Sequence, residues 1–204
     1  HFSEDEALQR AFQAGEDIHT ATAARVAGVA LAAVTAEMRR QAKAVNFGLI
    51  YGMSAFGLAK QLGIERAAAK DLIDVYFAKY PGILAYMNQV RDQAQETGVV
   101  STLLGRELNM RGAQSRNAIE KQAALRAAIN APMQGTASDI IKLAMLAIQK
   151  ECVTYDYQML IQVHDELVFE VRQEQVDRFI QQIKGLMQEV FALNVPLVVN
   201  VSCG

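Results

Sequence analysis

Through most of the first 150 residues, apolar positions recur at three- and four-residue steps, with alanine-rich stretches and few β-branched runs, which is the pattern of amphipathic helices. Two short helices are predicted over Glu4 to Ala14 and Asp17 to Gly28, parted at Gly15. Thr35 stands before Ala36-Glu37-Met38 as an N-cap, because its hydroxyl can accept from a free first-turn N–H, and the helix it opens runs to Tyr51, where Gly52 supplies a stop. Glu65 to Lys79 places Leu72, Ile73, Tyr76 and Phe77 on one face, and Pro81 forces a break before another helix to about Glu96. Val99 to Leu104 and Glu107 to Met110 suit a short hairpin around Gly105-Arg106. Ser115 to Lys150 is helical again, with Pro132 and Gly135 expected to kink or split it.

The pattern changes near Tyr155. Tyr157 to Val163 and Leu167 to Val171 are strand-like runs flanking His164-Asp165-Glu166, as in a tight antiparallel hairpin. Gln173 to Ala192 reads as an amphipathic helix with Val176, Phe179, Ile180, Ile183 and Met187 inward, and Pro196 to Val201 as a last strand. No internal repeat, low-complexity stretch or linker interrupts the chain. The predicted class is α+β: a mostly helical part over residues 1–150, then a small antiparallel sheet layer over 151–204.

With 204 residues, 51% hydrophobic and 21% charged, the composition is that of a globular protein able to bury a core. No apolar run reaches the roughly 18 to 20 residues of a membrane span, and the N-terminus lacks a signal-peptide build, so a cytoplasmic protein without membrane partners is expected. Cys152 and Cys203 have no metal-ligand spacing and predict two reduced thiols. A formal net charge of -2 argues mildly against a general nucleic-acid binder, but charge is unevenly spread. Seven Lys/Arg stand against three Asp/Glu from Arg39 to Lys79, and five against two from Arg106 to Arg126, while the first eighteen residues are acidic; a binding face would be local.

Arg39, Lys43, Phe47 and Tyr51 step by four, so two cations and two aromatics share one helix face. The cationic end can hold a polyphosphate and the aromatic end can receive a flat base. On an arbitrary helix the same spacing is more often core aromatics beside solvated cations, and spacing alone does not overturn that reading. The wider string Arg39-Arg40-Gln41-Ala42-Lys43-Ala44-Val45-Asn46-Phe47-Gly48-Leu49-Ile50-Tyr51-Gly52 closely resembles the nucleotide-binding helix motif of family A DNA polymerases, the bacterial polymerase I type. That resemblance implies that the helix closes over an incoming deoxynucleoside triphosphate. Arg39 and Lys43 would bind its phosphates, with Lys43 also donating a proton to the leaving pyrophosphate. Phe47 would pack on sugar and base, a phenylalanine there going with poor acceptance of sugars lacking the 3'-hydroxyl, and Tyr51 would guard the insertion site beside the templating base. His19, in Asp17-Ile18-His19-Thr20-Ala21-Thr22, matches a family position that contacts the phosphates; on its own it would be a helix-start or surface histidine.

Two carboxylates at a rigid turn between apolar strands can hold a hard cation such as magnesium, although Asp and Glu are also ordinary turn residues. Leu160-Ile161-Gln162-Val163-His164-Asp165-Glu166-Leu167 is similar to the palm motif of the same family. The likeness implies Asp165 as the metal ligand, Glu166 as an auxiliary carboxylate and His164 as a contact to the primer end, in a two-metal site using Mg2+. Arg126, Asn130 and Gln134 step by four across Pro132, and Asn130-Ala131-Pro132-Met133-Gln134-Gly135-Thr136 looks like the family segment that touches primer-template DNA in the minor groove, where acceptors lie alike for every base pair.

The resemblance spans essentially the whole chain and implies the fingers subdomain plus part of a palm. The reaction implied is attack of a primer 3'-hydroxyl on a deoxynucleoside triphosphate, with magnesium, primer-template DNA and the remainder of the polymerase chain as partners. The chain opens at His1-Phe2-Ser3 and ends at Ser202-Cys203-Gly204, which reads as a piece cut from a longer polypeptide. It opens just past the place where the family carries a second bridging carboxylate, and no motif promotes Glu4, Asp5 or Asp17 in its stead. The isolated piece is therefore expected to be inactive. A catalytically inactive nucleic-acid-binding module and a helical interaction protein, its stripes mere packing faces, are the two competing readings.

Overall fold

In the computed structural model, which describes residues 1–204, Asp5 performs two jobs at once. Its Oδ1 accepts from the N–H groups of Ala7 (3.1 Å) and Leu8 (3.2 Å) and so caps α1 (Glu6–Gln13). Its Oδ2 accepts from Gly82 N–H at 3.2 Å, at the start of α6 (Pro81–Thr97). Only glycine allows that approach: a Cβ at Gly82 would lie 2.6 Å from the Ser3 carbonyl oxygen. Side-chain oxygens open the next helices too. Asp17 caps α2 (Ile18–Ala27) through Thr20 N–H at 2.8 Å, and Thr35 caps α3 (Ala36–Ile50) through Met38 N–H at 3.2 Å. The first helix thus starts at Glu6 and not at Glu4, because Asp5 is its cap.

The chain divides into two units, His1–Met133 and Gln134–Gly204. In the first, α3 packs with α4 (Ala55–Leu62), α5 (Arg66–Lys79), α6 and the early part of α7 (Ala118–Glu151) around Val45, Leu49, Leu58, Tyr76, Tyr80, Met87 and Ile129. The four apolar residues predicted to share a face of α5 do turn inward: Tyr76 is buried and Leu72, Ile73 and Phe77 pack against the same core. The short α4 was not expected from the sequence pattern; Ser54 caps it through Gly57 N–H at 3.3 Å, and one apolar repeat, Leu58 with Ala59, seats it. A second cluster joins Val90 and Ala94 of α6 to Val100, Ala113, Leu125 and Ala128. It includes the predicted hairpin, formed by β1 (Val99–Ser101) and antiparallel β2 (Glu107–Asn109).

In the second unit, β3 (Tyr157–Val163) and β4 (Glu166–Val171) pair antiparallel, with a bulge between Met159 and Ile161. Tyr157, Met159, Leu167, Phe169 and Val171 pack with Ile148, Cys152 and α8 (Val176–Glu189), whose Phe179 and Ile183 are buried. Phe179 sits among three rings, with centroids 5.4 Å from Tyr155, 4.8 Å from Tyr157 and 5.4 Å from Phe169. Cys152 is buried and Cys203 exposed, both as free thiols. The α+β class holds, and no helix is long and apolar enough to cross a membrane.

Two expectations need revision. Of the kink or split expected at Pro132, the split does not occur: α7 runs as one helix of 34 residues with the proline inside it. Burial of Ala128 and Ile129 before the proline and of Ile141 and Ala144 beyond it anchors both stretches, which outweighs the one backbone bond that proline cannot make. Pro196 to Val201 forms no strand. Its side chains alternate between exposed and half-buried, as in extended chain, but neither β3 nor β4 offers it a ladder, and pairing defines a strand.

Truncating Phe179 to alanine should open a cavity within the ring cluster and lower stability by about 3–5 kcal/mol, read from urea unfolding of the 204-residue chain; an unchanged midpoint would contradict the packing.

Candidate functional site

The two faces of α3 differ sharply. Ala42, Val45, Asn46 and Leu49 are buried, while Arg39, Lys43, Phe47 and Tyr51 are all exposed. Phe47 and Tyr51 are 48% and 53% exposed, so the reading in which they fill the core does not hold. The Lys43 ammonium lies 6.0 Å from the centre of the Phe47 ring, which ties the cationic and aromatic halves of the stripe together.

Helix α2 lines the same face. The His19 ring packs at 5.5 Å from Phe47. Asp17, the cap of α2, also forms an ion pair with Arg39, at 2.5 Å between Oδ2 and Nη2. The Arg39 hydrogen bond, helped by the Thr20 N–H, holds the Asp17 carboxyl well below its ordinary value. Burial pushes His19 below its ordinary value; Asp17 opposes this, and the charges of Arg39 and Lys43 add to it. On its inner edge, His19 Nδ1 lies 3.1 Å from Asn46 Nδ2, which also donates to Thr22 Oγ1 at 3.1 Å.

Arg126 reaches the aromatic end of the stripe. Gly52, with φ +69°, follows Tyr51, and a Cβ placed on it would come within 2.9 Å of Arg126 Cγ. Of the other two residues in the predicted DNA-contacting segment, Asn130 is half-buried and Gln134 exposed on α7. These two belong to different units, Asn130 to the first and Gln134 to the second.

In the second unit the loop joining β3 to β4 is the dipeptide His164-Asp165, between paired Val163 and Glu166. A two-residue hairpin turn needs a positive φ, and His164 takes it at +53°. Gln162 Nε2 donates to the His164 carbonyl at 2.7 Å and braces the turn. His164, Asp165 and Glu166 are all exposed. Their oxygen donors are of the kind a hard dication takes, but such an ion wants about six oxygens, and no group of three or more Asp, Glu, His or Cys gathers in the structure. The hairpin by itself does not complete a ligand set for such an ion. Asp5 and Asp17, the acids nearest the N-terminal motif, are committed as helix caps.

The sequence pattern did not disclose two partners, Asp17 for Arg39 and Asn46 for His19. Asn46 had a legible signal, a polar residue on the face of α3 that Ala42, Val45 and Leu49 bury, and a buried amide needs partners. The Asp17 pair joins residues 22 apart on different helices and left no local pattern.

A face that ends in cations on one side and flat rings on the other suits an anionic ligand bearing a flat ring. The family comparison points the same way: the model for DNA polymerase family A matches residues 1–204, and the chain belongs to that family. It is 52% identical to DNA polymerase I of Pseudomonas aeruginosa over 206 aligned residues, covering 100% of this chain and 23% of that protein. Identity to DNA polymerase I of Deinococcus radiodurans is 45%, over 100% of this chain and 21% of the relative. The chain thus spans about a quarter of the length of these relatives. Among solved structures, the POL domain of Pol1 from M. smegmatis, in complex with DNA primer-template and dNTP, superposes with a TM-score of 0.91 at 42% identity, over 97% of this chain and 35% of that one.

Alanine at Gly52 would be strained by its positive φ and would press on Arg126; a loss of about 1–2 kcal/mol is expected in denaturant unfolding, and a neutral result would refute the close contact. Because the fold keeps His19 neutral where the unfolded chain would bind a proton, stability should fall as pH drops below 6.5 and through the lowered folded value. An NMR titration of the His19 ring checks this: a midpoint at or above 6.5 contradicts the environment described.

Proposed function

We propose that this chain is the fingers and part of the palm of a DNA-directed DNA polymerase, a nucleotidyltransferase that extends a primer 3'-hydroxyl with deoxynucleotides on a DNA template. Residues 1–150 are mostly fingers and residues 151–204 the palm portion. The observation that carries this reading is the exposure of Arg39, Lys43, Phe47 and Tyr51 on a helix whose other face is buried. A protein that used α3 only for packing would have hidden the two rings. Family membership and the likeness to a polymerase domain bound to primer-template and dNTP support it.

In the proposed reaction the primer 3'-oxygen attacks the α-phosphorus of the bound triphosphate; a new phosphodiester bond forms, the α–β phosphoanhydride bond breaks, and pyrophosphate leaves. Arg39 and Lys43 hold the phosphates, the guanidinium as a planar fork and the ammonium as a point charge. Arg39 already holds a carboxylate, Asp17, so binding exchanges one anion for another. Lys43 also passes a proton to the leaving pyrophosphate. Phe47 and Tyr51 receive the sugar and base by stacking, and His19 donates to a phosphate oxygen.

Asp165, with Glu166 as an auxiliary, would hold a divalent cation, Mg2+ by the hardness of its oxygen donors. Such an ion neutralises phosphate charge and lowers the barrier to attack. His164 contacts the primer end, and Arg126, Asn130 and Gln134 lie along primer-template DNA.

In the full-length polymerase, Lys43→Ala should weaken nucleotide binding and slow incorporation by about a hundredfold or more. Asp165→Ala should reduce primer extension by more than about a hundredfold with DNA binding largely kept. Single-turnover extension and a gel shift measure both, and near-normal extension by either variant would sink its assigned role.

A further inference from the structure

His19 and Asn46 meet at the seam between α2 and α3, and the chemistry of the pair decides which ring nitrogen carries a hydrogen. An amide nitrogen has two N–H donors and no acceptor. Asn46 Nδ2 directs them to His19 Nδ1 and Thr22 Oγ1, each at 3.1 Å. Asn46 is 6% exposed and Thr22 fully buried, and the Tyr80 hydroxyl donates to the same Thr22 Oγ1 at 3.4 Å. The amide is therefore held from behind by a buried network that reaches the α5–α6 junction. With Nδ1 accepting, the ring can be neither an imidazolium nor the Nδ1–H tautomer. Its single hydrogen then sits on Nε2, at the opposite edge of the ring.

We infer that Asn46 is a positioning residue for nucleotide binding: it holds His19 as the neutral Nε2–H tautomer, so that the ring meets a phosphate oxygen as a hydrogen-bond donor and not as a cation. This rests on the reading of the α3 face as a triphosphate site. It extends that reading by dividing the labour: Arg39 and Lys43 bring the charge, and His19 brings direction. The neighbourhood favours the same form, since burial lowers the His19 pKa and the two cations lower it further, against Asp17. A neutral donor also avoids setting a third positive charge beside Arg39 and Lys43 in the nucleotide-free protein.

Two measurements on the full-length polymerase test this. Nitrogen-15 NMR of the His19 ring, above pH 6.5 and with a dNTP bound in the absence of primer, should give one protonated nitrogen, Nε2, and one bare nitrogen, Nδ1. A proton on Nδ1, alone or with Nε2, overturns the inference, and this readout needs no variant to fold. Second, His19→Ala and Asn46→Ala should each raise the dNTP Kd about three- to tenfold, and the double variant no further than His19→Ala alone, because both act through one hydrogen bond. Additive losses, or an Asn46→Ala variant that binds like the parent, would overturn it. If Arg39→Ala and Lys43→Ala also leave the Kd unchanged, the triphosphate reading itself has failed. If those two weaken binding while Asn46→Ala does not, only the positioning role has failed.

Discussion

The burial of one face of α3 is the constraint on which the rest depends. Once Ala42, Val45, Asn46 and Leu49 are pressed into the first unit's core, helix geometry leaves no freedom in where residues 39, 43, 47 and 51 go. They stand in a row on the outside because their neighbours at intervening positions are inside. The hydrophobic effect, which is indifferent to chemistry, thereby presents two cations and two rings to solvent at a fixed spacing, with α2 packed alongside to add His19.

Carboxylates near the N-terminus have structural work. Asp5 satisfies free N–H groups on two helices, and Asp17 does so on α2 while pairing with Arg39. Carboxylate oxygens already engaged by N–H and guanidinium donors are poor candidates for a bridging metal ligand, whereas Asp165 and Glu166 stand exposed on a braced turn. The contrast separates acids that build the fold from acids left available to a ligand, a distinction that charge counting along the chain does not make.

Local physics made much of this protein legible in its amino-acid sequence. The helix limits at Thr35, Gly52 and Pro81, the inward face of α5, both hairpins and the face-sharing of Arg39, Lys43, Phe47 and Tyr51 all follow from capping, turn chemistry and periodicity over a few residues. Tertiary structure decided what short range cannot. Whether Phe47 and Tyr51 face the core or water turned on which side of α3 met α4 and α5. The run through Pro132 turned on anchoring on both sides of the proline, and the unpaired state of Pro196 to Val201 on the lack of a neighbouring strand. The pairing of Asp17 with Arg39 and of His19 with Asn46 joined side chains 22 and 27 residues apart. Periodicity places a residue on its own helix but carries no information about the partner helix, so a contact between two helices exists only once both have packed.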